Sequence, residues 1–300
     1  MSLSTTSSYT STESTNNSSL SDSPHRIALI TIYTVVLMVG SVGITVMVNM
    51  LKTNLRSWTT IAFLNLLLAH FIFMLTIPFR IHYSVTNNWT LSQPFCKMVS
   101  AMIHLHMYLV FVIYTVILTI RFLQHFKKID RMEFYRRLHA LAASVGIWSV
   151  LIIVGPIILI HYGKDGTNVG GRNVSKCFNF GGAIKESASA LALNIFLSVV
   201  IILVSCMLSC ALGVILYSII KKHGAACRDQ QEFWAQMKSV SLILIIFTCL
   251  VPYQLFRLYY LHNPESMQED NEVFLAITTL TCIDMLLTFA GKGICYMCKC

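Results

Sequence analysis

Residues 98–122 read MVSAMIHLHMYLVFVIYTVILTIRF, an apolar stretch with a single basic residue, Arg121, next to its end. A helix rises about 1.5 Å per residue, so roughly 20 residues cross the hydrocarbon core of a bilayer. This stretch meets that length, and it is one of seven. The others fall at 27–50, 58–83, 138–161, 188–220, 239–262 and 273–291. One such run would be an anchor, whereas seven make the membrane the solvent of the chain. The fifth is the longest and is expected to project beyond the lipid at one end.

Composition agrees. Of 300 residues, 55% are hydrophobic and only 12% are charged, where a soluble domain carries about 25% charged residues. Unpaired backbone polar groups are very costly in lipid, so spanning segments must be helices or strands of a closed barrel. Barrel strands run to about 10 residues and alternate strictly. These runs are too long and too uniformly apolar for that. The expected fold is an all-α membrane protein, a seven-transmembrane helix bundle over 27–291, flanked by segments 1–26 and 292–300.

The net charge of +9 is placed as topology requires. With the amino terminus outside, the cytoplasmic side holds Lys52, Arg56, five basic residues between 127 and 137, Lys221, Lys222, Arg228, Lys238, Lys292 and Lys299. The outer side holds fewer and more scattered cations, and the acids Glu265, Glu269, Asp270 and Glu272 gather in its last loop. This positive-inside bias fixes the orientation. It argues against nucleic acid as the partner and for attraction to anionic inner-leaflet lipid. Residues 1–26 are rich in Ser, Thr and Asn and lack the sections of a cleavable signal peptide. They are expected to be disordered, having almost nothing to bury. Asn16, Asn17, Asn88 and Asn173 each begin an N-x-Ser/Thr sequon, and all four fall on the assigned outer side. Asn16 and Asn17 overlap, so both are not expected to be modified together.

Ten cysteines are present. Cys206, Cys210, Cys249 and Cys282 lie within apolar runs, where free cysteine behaves as a small apolar residue. Cys227 is in an inner loop. Cys295, Cys298 and Cys300 follow the last run beside Lys292 and Lys299, a setting that suits S-palmitoylation and equally suits unmodified thiols. Cys96 and Cys177 face the oxidising side.

Cys96 and Arg121 stand 25 residues apart on the third helix, roughly 37 Å. The second span carries Asn65-Leu66 and then Pro78, the fourth Trp148 and then Pro156, the sixth Cys249-Leu250-Val251-Pro252-Tyr253, and the seventh Asp284. This pattern resembles the rhodopsin-type (class A) G-protein-coupled receptors across all seven spans. The strings at 133–140, 231–236 and 252–257 are similar to an orphan member of that family. The Pro-Tyr-x-x-x-Arg run of Pro252, Tyr253 and Arg257 also resembles the purinergic and related nucleotide or lipid receptors. The resemblance implies a Cys96–Cys177 bridge that pins the second outer loop over the bundle mouth. It implies a heterotrimeric G protein as partner, an unidentified extracellular ligand, no cofactor and no chemistry on the ligand.

Departures from the family pattern are informative. The Asp/Glu-Arg-Tyr motif is Ile120-Arg121-Phe122 here, without the acid that restrains the arginine at rest. Leu250 stands where an aromatic switch is usual, Ile44 where asparagine is usual, and the seventh motif, 284–288, lacks its proline and tyrosine. His70 replaces the acid of the second helix. The family often holds sodium there. A cation is therefore disfavoured, and a His70–Asp284 hydrogen bond or ion pair is expected, with His106 close by. That pair could fix packing or act as a pH-sensitive switch.

Ionisable groups at membrane depth are functional candidates by default. Arg121 is expected to meet the G protein when the inner side opens, with Ile129, eight residues on, as an apolar contact. The alternative is an arginine that snorkels to the headgroups. Arg80, Lys97, His104, Tyr253 and Arg257 gather near the outer ends of the helices, with His82, Tyr259 and Tyr260 near them. Convergent arginines suit carboxylate or phosphate, so an anionic small molecule or lipid is the expected ligand. Pairing of these arginines with the acidic last loop is the competing reading.

No inverted repeat points to a transporter, and no His-Glu-x-x-His or Gly-x-Ser-x-Gly string points to an enzyme. A non-signalling or scavenging receptor stays open because activation motifs are eroded. An epitope tag fused ahead of Pro24 is expected to bind antibody on intact cells, and one after Cys300 only on permeabilised cells. The reverse staining would overturn the orientation.

Overall fold

The computed structural model describes residues 24–51, 58–126, 144, 146, 148, 177–178, 188–223, 231–262 and 266–286. Helix α1 covers Pro24–Leu51 and supplies the first span. The second span is two helices, α2 (Trp58–Met74) and α3 (Ile77–Thr86). Helix α4 (Gln93–Phe126) is the third span and α5 (Ala188–His223) the fifth. The sixth span is α6 (Gln231–Ile245), a π-helical turn (Ile246–Leu250) and α7 (Val251–Tyr260). The seventh begins as α8 (Gln268–Ile277) and tightens into a 3-10 segment (Thr278–Ile283).

Five stretches among the described residues are long and apolar enough to cross a membrane: Pro24–Asn49, Ile61–Thr86, Gln93–Phe122, Leu191–Lys222 and Gln236–Tyr260. The run at 138–161 lies outside the described residues, save 144, 146 and 148.

Burial explains why these helices need lipid. The exposed surface carries large apolar side chains such as Met38, Phe196, Leu203, Met207, Val214 and Tyr217. The interior instead holds His70, Ser198, Ser239, Gln254, Asn271, Thr278 and Asp284 beside its aliphatic and aromatic core. Water would reverse that arrangement. In hydrocarbon there is nothing for a polar group to bond to, so polar groups turn inward and find one another.

The helix breaks have local causes. Pro78 lacks an N–H and its ring crowds the carbonyl four residues back. The chain opens at Leu75-Thr76, where the Thr76 hydroxyl and backbone N–H both donate to the Phe73 carbonyl, at 2.7 and 2.9 Å. Beyond the break, Ile77, Arg80 and Ser84 all face the interior. Pro252 acts similarly on the sixth span. The π turn ahead of it closes through the Val251 N–H and the Ile246 carbonyl, and Thr248 donates to the Leu244 carbonyl at 2.8 Å. After that turn, Tyr253, Gln254, Arg257 and Tyr260 are buried together. In the 3-10 segment, Thr278, Thr279 and Thr281 each donate to the carbonyl three residues back, at 2.6, 2.6 and 2.9 Å.

Several helices start earlier than the apolar runs. Helix α1 begins at Pro24 rather than at 27, and proline in a first turn leaves no further donor unsatisfied. His25 Nε2 lies 3.0 Å from Asp270 Oδ1 at the start of α8. Arg26 donates to the carbonyls of Ser84 and Val85 at 2.8 and 2.7 Å. Residues 24–26, expected to be part of a disordered segment, are therefore helical because partners at the ends of α3 and α8 hold them.

Helix α1 packs on α2 and α3 on one side and on α8 and the 3-10 segment on the other. Gly43 permits the second contact. A Cβ there would stand 3.2 Å from Met285 Cβ, an atom fixed to the backbone that cannot swing away. Small residues at helix contacts are the membrane's usual means of close approach. Gly43→Val is expected to cost about 1–3 kcal/mol by overpacking, read as a lowered thermal unfolding midpoint in detergent. Gly213→Val, where nothing lies within 4 Å, is the matched control and should change little.

Candidate functional site

At one end of the bundle, Cys96 on α4 is bonded to Cys177, with their Cα atoms 5.9 Å apart. The Cys177 N–H donates to the Tyr83 hydroxyl at 3.2 Å. Phe178 follows with φ 71, in the left-handed region that a bulky side chain rarely adopts. Its neighbours hold it there. Its ring meets Tyr83 edge-on at 5.0 Å and Trp89 at 5.9 Å, and its carbonyl accepts from Gln268 Nε2 at 2.9 Å.

Arg80 lies under this wedge. Its Cζ is 4.6 Å from the Phe178 ring centroid. It donates to the Tyr33 hydroxyl at 3.2 Å and to the Val99 carbonyl at 3.0 Å, and Glu272 Oε2 is 3.6 Å away. Only 2% of its surface is exposed, so it does not snorkel. Its charge joins α1, α3, α4 and α8 through one guanidinium.

Arg257 is the second buried guanidinium at this end. It donates to the Tyr253 hydroxyl and to Asn194 Oδ1 on α5. The Tyr253 hydroxyl in turn lies 3.4 Å from His104 Nε2. Arg257, Tyr253 and His104 thus form one chain from the sixth span to the third. Among the described residues no carboxylate stands within ion-pair distance of Arg257, whereas Arg80 has Glu272. Lys97 is half-buried on the first turns of α4, and His82 and Tyr259 are exposed. The five residues expected to line one pocket therefore separate into an Arg80 cluster, an Arg257–Tyr253–His104 chain, and Lys97 at the rim.

Deeper in the bundle, His70 and Asp284 are both fully buried, with His70 Nε2 3.4 Å from Asp284 Oδ1. That is ion-pair distance rather than a formed hydrogen bond. His106 Nε2 is 2.8 Å and Cys282 Sγ 3.3 Å from His70 Nδ1. The Tyr114 hydroxyl donates to Asp284 Oδ2 at 2.5 Å. Near the opposite end, Arg121 Nη1 donates to Ser239 Oγ on α6 at 3.0 Å. Trp148 Nε1 donates to Asn65 Oδ1 at 3.0 Å, which joins the second and fourth spans.

Asn88 is exposed in the turn after α3. Asn16, Asn17, Asn173, Ile129, Cys295, Cys298 and Cys300 lie outside the described residues. Sequence reasoning missed Tyr114, Asn194 and Ser239 and read Cys282 only as a small apolar residue, while the approach of Glu272 to Arg80 matches the competing reading of arginines paired with the acidic last loop. Tyr114 had a signal: it stands eight residues after His106 and seven before Arg121, two helical turns each way, on one inward stripe.

Residues 42–287 match the sequence profile described as 7 transmembrane receptor (rhodopsin family). The chain is 40% identical over 279 residues to the Homo sapiens protein named "Probable G-protein coupled receptor 141", covering 89% of this chain and 88% of that one. It is 25% identical to the Mus musculus "Probable G-protein coupled receptor 34", covering 87% and 72%. It is 22% identical to the Rattus norvegicus "2-oxoglutarate receptor 1", covering 75% and 66%.

Removing one member of a buried ion pair leaves the other charge without compensation, at a cost of about 3–5 kcal/mol. Glu272→Gln is expected to lower the thermal unfolding midpoint accordingly. Adding Arg80→Met to it should restore most of the loss, because the orphaned charge is then gone.

Proposed function

Since this chain belongs to the rhodopsin family of seven-transmembrane receptors, we propose that it carries an extracellular anionic signal to a heterotrimeric G protein through Arg121. In this reading the protein sits in the plasma membrane with its amino terminus and the Cys96–Cys177 bridge outside. The basic loops face the cytosol, where Ile129 meets the G protein. Asn16 or Asn17, Asn88 and Asn173 carry glycans, and Cys295, Cys298 and Cys300 are lipidation sites.

The ligand assignment rests on Arg257. It is buried, with 4% of its surface exposed, and its described partners are a hydroxyl and an amide rather than a carboxylate. A buried cation without an opposing charge is costly, and a carboxylate or phosphate arriving from outside would offset that cost. His104 and Tyr253 supply further polar groups along the same chain. One relative is named for 2-oxoglutarate, a dicarboxylate, which supports an anionic class. Arg80 is the weaker anchor, because Glu272 already opposes its charge.

The resting clasp follows from Arg121. Ile120 stands where the family has the acid that restrains this arginine, and Ser239 on α6 accepts a hydrogen bond from it. Loss of that neighbouring acid makes the inactive state less favoured, and the Ser239 bond is one of the contacts that oppose opening.

A panel of G-protein activation assays at matched surface expression tests both parts. Without ligand, the wild type is expected to exceed mock cells, Arg121→Ala to fall to mock, and Ser239→Ala to rise above wild type. Equal signals from wild type and Arg121→Ala would sink the coupling role. For an anionic agonist found by screening, Arg257→Gln should weaken potency about 10–100-fold, the worth of one charge-assisted bond. An unchanged potency would remove Arg257 from the site.

A further inference from the structure

The core of the bundle carries an arrangement that the signalling role does not use. His70 on α2, His106 on α4 and Cys282 in the 3-10 segment point His70 Nδ1, His106 Nε2 and Cys282 Sγ at one another, all within 4.8 Å. His70 Nδ1 is 2.8 Å from His106 Nε2 and 3.3 Å from Cys282 Sγ. One ring nitrogen has a single in-plane site, so it cannot share protons with both neighbours at once. His70 Nε2, on the other side of that ring, faces Asp284 Oδ1 at 3.4 Å, and His106 Nδ1 has no hydrogen-bond partner among the described residues. A point where three ligand-type atoms converge and cannot all satisfy one another calls for a missing group.

We propose that His70, His106 and Cys282 form a binding site for a borderline-soft divalent transition metal of the zinc class. Two imidazole nitrogens and a thiolate are the ligand types that zinc selects, with bonds of about 2.0–2.3 Å. A tetrahedral centre built on those lengths spaces its ligand atoms about 3.3–3.6 Å apart. The two separations from His70 Nδ1, 2.8 and 3.3 Å, need only small outward movements to reach that, and His106 Nε2 and Cys282 Sγ stand within 4.8 Å of each other. Sodium and magnesium, which prefer oxygen, do not suit this set.

The surroundings complete the site. A metal on His70 Nδ1 requires the ring proton on Nε2, and that nitrogen faces Asp284 Oδ1 at 3.4 Å. Asp284 is in turn held through its other oxygen by Tyr114. A carboxylate behind a ligating histidine is the usual outer partner that orients the ring and raises its basicity. Charge also balances. On binding, the Cys282 thiol gives its proton to solvent, and one dication, one thiolate and one carboxylate sum to zero, as burial demands. Such a centre would clip the second, third and seventh spans together at mid-bundle.

Cobalt(II) is the probe, because thiolate coordination gives it a sulfur-to-metal charge-transfer band and tetrahedral geometry gives intense visible absorption. The protein is the full chain, purified in detergent and stripped with chelator. Its background carries Cys295→Ser, Cys298→Ser and Cys300→Ser, since those thiols could bind metal themselves. One cobalt per chain with the charge-transfer band, displaced by zinc, is expected. Cys282→Ala should abolish the band and weaken binding at least tenfold. Cys282→Ser, closer in size and polarity, should also lose it and serves if the alanine variant does not fold. Asp284→Asn should keep the band but weaken affinity about 10–100-fold, as loss of an outer partner does. Absence of the band in the background protein, or a band that survives loss of Cys282, overturns the site.

Discussion

Hydrocarbon offers no hydrogen bond, and that single constraint organises this protein. Each helix satisfies its own backbone, and each polar side chain within the span must find a partner on its own helix or on another. The interior is therefore knitted by hydroxyls, amides, imidazoles and guanidinium groups. Ser198 donates to Gln254 at 2.8 Å, and Gln254 reaches Met107, so the fifth, sixth and third spans meet through three polar or polarisable groups. Arg80, Arg257 and the His70 cluster repeat the pattern at other depths. Shape selectivity between helices comes from small residues such as Gly43, and orientation comes from these bonds.

The helix breaks serve the same end. A straight α-helix would carry its inward stripe steadily around the axis. The opening before Pro78, the π turn before Pro252 and the 3-10 segment after Ile277 each reset that stripe. Arg80 and Arg257 lie beyond such a reset, and Cys282 lies within one. Irregular backbone at membrane depth is tolerated only where its freed groups are satisfied, and Thr76, Thr248 and the threonines at 278, 279 and 281 satisfy them locally.

Much of the fold was legible because a bilayer imposes one length on every span. Helix ends were less so. Gln93–Lys97, Gln231–Lys238 and Gln268–Glu272 extend helices beyond the apolar runs, where mixed polarity hides them from a hydropathy reading. Glu272 was counted with an acidic loop for that reason, and its approach to Arg80 was only a competing possibility. The proximity of His70 and Asp284 was foreseeable from the family pattern. Cys282 was not, because a cysteine inside an apolar run reads as filler until its neighbours in space are known, and the stripe that Tyr114 shares with His106 and Arg121 gives its side of the helix but not its partner. The separation of Arg80 from the Arg257 chain depends on which way each helix turns after its break, and spacing along the chain does not contain that.

The deepest polar contacts also join distant parts of the polypeptide. Cys282 meets His70 across 212 positions, and Asp284 meets Tyr114 across 170. A ribosome releases the early spans long before the last one exists. Until that segment arrives, two imidazoles and a phenol wait in the bilayer with no carboxylate or thiol to meet them. The finished chain therefore differs from every truncated precursor in a way that a cellular quality-control system can sense, since only the complete polypeptide hides its core polarity from lipid.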